Sequence, residues 1–189
     1  MNKKSFLLVS LLATLTLVSC SEKSSEGPKY ENDIQVVILN QGNYTEQNSS
    51  ISLYSEINNT VQNRAFKFKN GFNIGGTIMG ATMDIYGTMY MICSNPDKIM
   101  ILDGATTECY MEDMLNGHPD LITPRNITND GQYLYVTVSG NQHETLPDGM
   151  DSYTDSKLLI ISMLSGEVVK TINIGRDAEG VLCWMGYVF

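Results

Sequence analysis

Residues 157–175 read KLLIISMLSGEVVKTINIG, and their pattern decides the fold class. Leu158-Leu159-Ile160-Ile161 is a short apolar run ending in two β-branched residues. Ser165-Gly166 is a turn dipeptide, and 167–174 is rich in Val, Ile and Thr. The period of 3.6 that would mark a helix is missing. A sheet with one wet face asks for alternation along each strand, whereas an unbroken apolar run asks for burial on both faces. The stretch therefore predicts two paired strands in a sheet covered above and below.

The same pattern recurs on either side. Val37-Ile38-Leu39-Asn40-Gln41-Gly42-Asn43, Tyr90-Met91-Ile92-Cys93-Ser94-Asn95-Pro96 and Tyr135-Val136-Thr137-Val138-Ser139-Gly140-Asn141 are each a short strand entering a polar turn. A second strand follows each: Ile51-Ser52-Leu53-Tyr54, Ile99-Met100-Ile101-Leu102 and Leu158-Leu159-Ile160-Ile161. The turns Asn58-Asn59, Asp103-Gly104 and Ser165-Gly166 lead to a third. A fourth copy opens at Gly186-Tyr187-Val188-Phe189, matching Gly131 and Tyr133-Leu134-Tyr135. A strand-and-turn period of ~40–50 residues is the signature of β-propeller blades; coincidental spacing in a β-sandwich is the competing reading. The expectation is an all-β chain whose residues 34–189 form an incomplete arc of about three four-stranded blades. Residues 90–93 should pair with 99–102 through Ser94-Asn95-Pro96-Asp97, and 135–138 with 158–161. Such rings close with about four to eight blades, so the pattern also predicts a truncated or split propeller with residues 176–189 poorly packed.

Residues 157–175 with the following Arg176-Asp177-Ala178-Glu179-Gly180 resemble the YVTN-type propeller repeats, with Ala178 where that family usually has Pro. Val37-Ile38-Leu39-Asn40-Gln41-Gly42-Asn43-Tyr44 and Pro124-Arg125 are similar to surface lipoproteins of gram-negative gut anaerobes built on this propeller. The resemblance covers about 34–189 and implies the architecture. Some relatives bind cobamides and sit on an outer-membrane transporter, which makes a small-molecule ligand or such a transporter the implied partner. It carries over no binding residue.

The N-terminus reads as an address. Lys3 and Lys4 precede an apolar run over 6–18, too short to span a membrane, which takes ~20 residues, but the length of a signal-peptide core. Leu17-Val18-Ser19-Cys20 resembles the lipobox of bacterial lipoproteins. That resemblance implies a signal peptide over 1–19, a lipid anchor on Cys20, a tether over 20–33, and an outer-membrane, surface-exposed location.

Composition excludes other classes. A net charge of -9 leaves no basic face for nucleic acid, and 17% charged with 42% hydrophobic residues excludes wholesale disorder. Two histidines, His118 and His143, leave little room for a histidine metal site or a catalytic triad. Cys93 and Cys109 fall on the second and fourth strands of one unit, ~9–10 Å apart, beyond disulfide reach. With Cys183 they are expected as free, buried thiols. Residues 141–155, NQHETLPDGMDSYTD, carry His143, Glu144, Asp148, Asp151 and Asp155 off the calcium-loop spacing and read as a solvated acidic loop. Trp184, the only tryptophan, is expected to pack in the core or between blades. The functional expectation is a lipid-anchored binding module without catalysis, cofactor or metal. The alternatives are a non-functional truncated fragment, or a piece of a propeller-fold hydrolase, lyase or dehydrogenase.

Overall fold

The structure, a computed structural model, describes residues 35–189. The expected signal peptide over 1–19, the expected anchor at Cys20 and the expected tether over 20–33 lie outside the described residues. Strand accounts for 49% of the described residues and helix for 4%, so the fold is all-β.

Three sheets carry the architecture, every pairing antiparallel. The first holds β1 (Gln35–Asn40), β2 (Ser50–Ser55) and β3 (Thr60–Gln62), in that order. The second holds β4 (Thr77–Met83), β5 (Thr88–Ser94), β6 (Lys98–Asp103) and β7 (Cys109–Met111), again in chain order. The third begins with β8 (Pro124–Asn129) and β9 (Tyr133–Val138). A separate hairpin of β10 (His143–Thr145) and β11 (Asp151–Tyr153) follows, and the sheet resumes with β12 (Ser156–Ser162) and β13 (Val168–Gly175). Last comes a small hairpin of β14 (Cys183–Trp184) and β15 (Tyr187–Val188).

Both expected hairpins form, each with the paired segment of its partner strand starting one residue earlier than expected. Tyr90 lies opposite Ile101 and Cys93 opposite Lys98. Tyr135 lies opposite Ile160 and Val138 opposite Lys157, with the acidic insertion between them. That insertion is a hairpin rather than an open loop. The first sheet has three strands among the described residues where the repeat predicts four; its β1 is an edge, whereas the equivalent β5 and β9 are flanked on both sides.

The sheets stack face to face, and the repeat positions say which face meets which. Val37, Leu39, Ile51 and Leu53 of the first sheet pack on Met89, Met91, Met100 and Leu102 of the second. The equivalent residues one unit on, Tyr90, Ile92, Ile99 and Ile101, pack on Leu134, Val136, Leu159 and Ile161 of the third. The middle sheet is therefore covered on both sides, and six of the seven residues of β5 are buried. Fully burying one such side chain contributes ~1.5–3 kcal/mol, so these two cores dominate the stability. The third sheet departs from expectation. Leu159 and Ile161 are fully buried, but Leu158 and Ile160 on its other face are only half-buried, because no fourth sheet covers them among the described residues.

One helix interrupts the strands, α1 (Ala65–Asn70), which the strand-only reading did not expect. Six residues cannot sustain a helix alone, since nucleation is costly. Tertiary contacts hold it. Ala65 and Phe66 are buried, and Phe66 meets Phe72 edge-to-face at 5.3 Å. Asn70 Nδ2 donates to the carbonyls of Phe66 and Thr107, each at 2.8 Å, and its Oδ1 accepts from Cys109 N at 2.8 Å. One side chain thus ends the helix and fastens it to β7. Gly71, at φ 81, closes the turn by donating to the Lys67 carbonyl.

Candidate functional site

β4 and β8 begin in the same way. Thr77 lies opposite Ser94, and Thr123 accepts from the amide of Ser139, the residue equivalent to Ser94. One residue further into each strand the pairing slips. The register shifts between Ile78 and Gly80 in β4, and between Pro124 and Asn126 in β8. Met79 and Arg125 are therefore the extra residues of two equivalent bulges, 46 positions apart (79 to 125). A bulge leaves its extra residue out of the ladder and re-aims its side chain, which is why bulges recur beside functional sites.

Both side chains line one cavity of about 270 Å³. Thr77 and Thr123 line it with them, as do Gln41 and Tyr44 from the loop after β1 and Ser94 from the end of β5. Its wall draws equivalent positions from successive units: Thr77 with Thr123, Met79 with Arg125, Gln41 with Ser94. No single stretch of chain builds it.

The walls are rigidly held. Ser49, buried, donates its hydroxyl to the Gln41 carbonyl and accepts from Ile78 N at 3.0 Å, tying the loop after β1 to β4. Gly42 has φ 75, and a Cβ there would stand 2.5 Å from Asn48 Oδ1, so glycine is required. Asn95 Nδ2 holds the Tyr44 carbonyl at 3.1 Å, and Asp97 Oδ2 accepts from Thr123 N at 3.0 Å.

Two residues of the lining carry the polar groups of interest. Thr77 is 2% exposed, and among the described residues its hydroxyl has no hydrogen-bond partner. A buried hydroxyl left unpaired costs ~1–3 kcal/mol, so native proteins rarely keep one without use. Arg125 presents its guanidinium to Glu179 through two parallel bonds, Nε at 3.1 Å and one terminal nitrogen at 2.6 Å. This fork geometry suits any carboxylate or phosphate. Glu179 comes from the Arg176-Asp177-Ala178-Glu179-Gly180 turn, which is anchored throughout. Thr137 donates its hydroxyl to the Glu179 carbonyl at 2.8 Å, and Asp177 accepts from Ser152 Oγ at 2.6 Å and Tyr153 N at 2.7 Å. Those bonds, the Ser152 hydroxyl first, hold the Asp177 carboxyl below its ordinary range.

The remaining sequence candidates fall elsewhere. Cys93, Cys109 and Cys183 are free; Cys93 is fully buried, the other two partly. Burial pushes the Cys93 thiol up to about 12, which keeps it protonated and inert. The acids of 141–155 are spent locally: Asp155 accepts from Gln142 N, Asp151 from the Thr145 hydroxyl, and Glu144 pairs with Arg176. Among the described residues no cluster of three or more His, Cys, Asp or Glu is placed to hold a metal ion. Trp184 corrects the expectation of core packing. It is 63% exposed and lines a shallow concavity with Met83, Ile85 and Asp130 at the opposite strand ends, because among the described residues no sheet stacks over β14. A larger hollow of about 370 Å³ lies between the 46–51 loop and α1, but it lacks a buried polar group awaiting a partner.

Thr77 and Met79 carried no sequence signal by themselves. Only the shared 46-residue offset with Thr123 and Arg125, applied to strand starts, would have drawn attention to them. No model of a known protein family matches this chain, and no curated protein matches it.

Proposed function

We propose that this chain is a binding module for a small anionic molecule, built on a three-blade arc of a YVTN-type β-propeller and held at the outer-membrane surface by a lipid on Cys20. The observation that carries the binding reading is that Arg125 and Thr77, whose buried hydroxyl has no partner among the described residues, line one cavity. A ligand carboxylate or phosphate takes the place of Glu179 on the Arg125 fork and accepts from Thr77. Rigid walls and a preset fork favour capture over catalysis, since binding to a preorganised site costs little ordering entropy. The propeller reading is supported by the three stacked sheets, whose contacts obey the repeat alignment. A cobamide is far larger than about 270 Å³ and would enter this cavity only with an anionic group. Docking on an outer-membrane transporter remains compatible with this site.

Calorimetry with a panel of small carboxylates and phosphate esters, and separately with a cobamide, tests the reading. At least one panel member should bind the wild type, and Arg125→Ala should weaken it by ~10- to 100-fold, the value of a charged hydrogen-bonded pair. Binding that is unchanged in Arg125→Ala and in Thr77→Val refutes the site.

A further inference from the structure

The two faces left over by the stacking are matched to each other. On the third sheet Tyr135, Leu158 and Ile160 stand where Tyr90, Ile99 and Ile101 stand on the second, the positions that elsewhere receive the next sheet. On the first sheet Val36, Ile38 and Tyr54 stand where Met89, Met91 and Leu102 stand on the second, the positions that elsewhere meet the preceding sheet. Val36 is 45% and Ile38 40% exposed, with Val61 alongside at 54%. Among the described residues the chain makes this face-to-face contact twice and carries both halves of a third, unmade.

The edges are matched as well. Thr82 on β4 accepts a 2.7 Å bond from Asn129, on the first strand of the next unit. Its equivalent Thr128 on β8 accepts a 3.2 Å bond from Cys183 N, on β14. β14 therefore lies against the third sheet as the first strand of a fourth. Among the described residues the first sheet lacks a first strand, and β1 offers an open edge there.

We propose that two copies of this chain associate head to tail. The outer face of the third sheet of each covers the outer face of the first sheet of the other, and β14 completes that sheet by pairing with the partner copy's β1. β15 holds β14 through two ladder pairs, with Leu182 and Phe189 exchanging backbone bonds beside them, a shorter pairing than the six-residue β1 offers, so β1 displaces it. Two copies bring six sheets together, inside the range of four to eight over which such rings close. This inference rests on the stacking and the repeat positions, not on the ligand reading, and neither test decides the other.

Sedimentation velocity on the full-length Cys20→Ser chain, which carries no lipid to drive association, gives the stoichiometry. The expected species is a two-copy particle. Ile38→Asp spoils the first-sheet face and Ile160→Asp the third-sheet face. Each variant alone should be monomeric, its association weakened at least ~100-fold by a charge buried without a partner. Mixed in equal amounts they should form a one-to-one dimer, because each supplies the face the other lacks, and that recovery also proves both are folded. Val36→Asp, at a more exposed position, repeats the first-sheet arm. Removal of 186–189 should tighten association by freeing β14. A monomeric wild type overturns the proposal, as does either variant remaining dimeric alone, which would indicate like faces meeting like. A mixture that stays monomeric while both variants melt in one sharp step overturns it too.

Discussion

Thr77→Val is the sharpest probe of the cavity, because the substitution should stabilise the protein while damaging its site. Valine keeps the branched Cβ and nearly the same volume, so the backbone and χ1 preferences of β4 are undisturbed. It replaces one hydroxyl by a methyl at a position 2% exposed, where among the described residues that hydroxyl has no partner. Removing an unsatisfied buried hydroxyl recovers its desolvation cost of ~1–3 kcal/mol. For a domain of this size each kcal/mol raises Tm by ~2–4 °C, so the melting point should rise by roughly 2–12 °C. Scanning calorimetry and urea titration should agree, with the urea slope unchanged because the surface exposed on unfolding is the same. The equivalent Thr123→Val, at a half-exposed position, should change stability by less than about 0.5 kcal/mol. In the same Thr77 variant, affinity for an anion that binds the wild type should fall ~10-fold, one hydrogen bond's worth. A Thr77→Val protein less stable than wild type would refute the reasoning, since it would mean that the hydroxyl already has a partner in the free protein.

Other substitutions test the framework around the site. Ser49→Ala removes the hydroxyl that bridges the Gln41 carbonyl and Ile78 N, and should cost ~1–3 kcal/mol in urea unfolding while loosening ligand affinity at the cavity. Asp120→Asn tests a pH-linked contribution. Lys157, bonded at 2.9 Å, is the main reason the Asp120 carboxyl lies below its ordinary range, with Thr171 and His118 assisting. A depressed carboxyl stabilises above the unfolded value near ~4, and that stabilisation disappears as pH falls through the folded value. Both partners are partly exposed, so the variant should lose no more than about 1 kcal/mol at neutral pH, and its urea midpoint should converge with the wild type as the carboxyl protonates at low pH. Cys20→Ser should move the protein from the membrane to the soluble fraction on cell fractionation; unchanged membrane association would remove the proposed lipid anchor.

What residue order alone determined about this chain was whatever depends on near neighbours. The β5–β6 and β9–β12 hairpins were legible to within one residue because apolar runs and turn dipeptides act over a few residues. The acidic insertion could be placed between β9 and β12 for the same reason, though its own pairing into β10 and β11 could not. The free state of Cys93 and Cys109 followed from strand spacing once the unit was drawn. α1 escaped notice because six residues carry too little periodicity, and its stability comes from Phe66 and Asn70 reaching β7 and Phe72, contacts invisible along the chain. The fate of Leu158, Ile160 and Trp184 was decided only in three dimensions. Their sequence says apolar, but burial depends on whether another sheet stands over them, and that is a property of the stack. The cavity belongs to the same class. Thr77 and Arg125 are 48 residues apart (77 to 125), and two bulges and a sheet-on-sheet contact bring them to one wall. A repeat encodes its internal contacts in every copy, whereas a site made where copies meet exists only once they have packed.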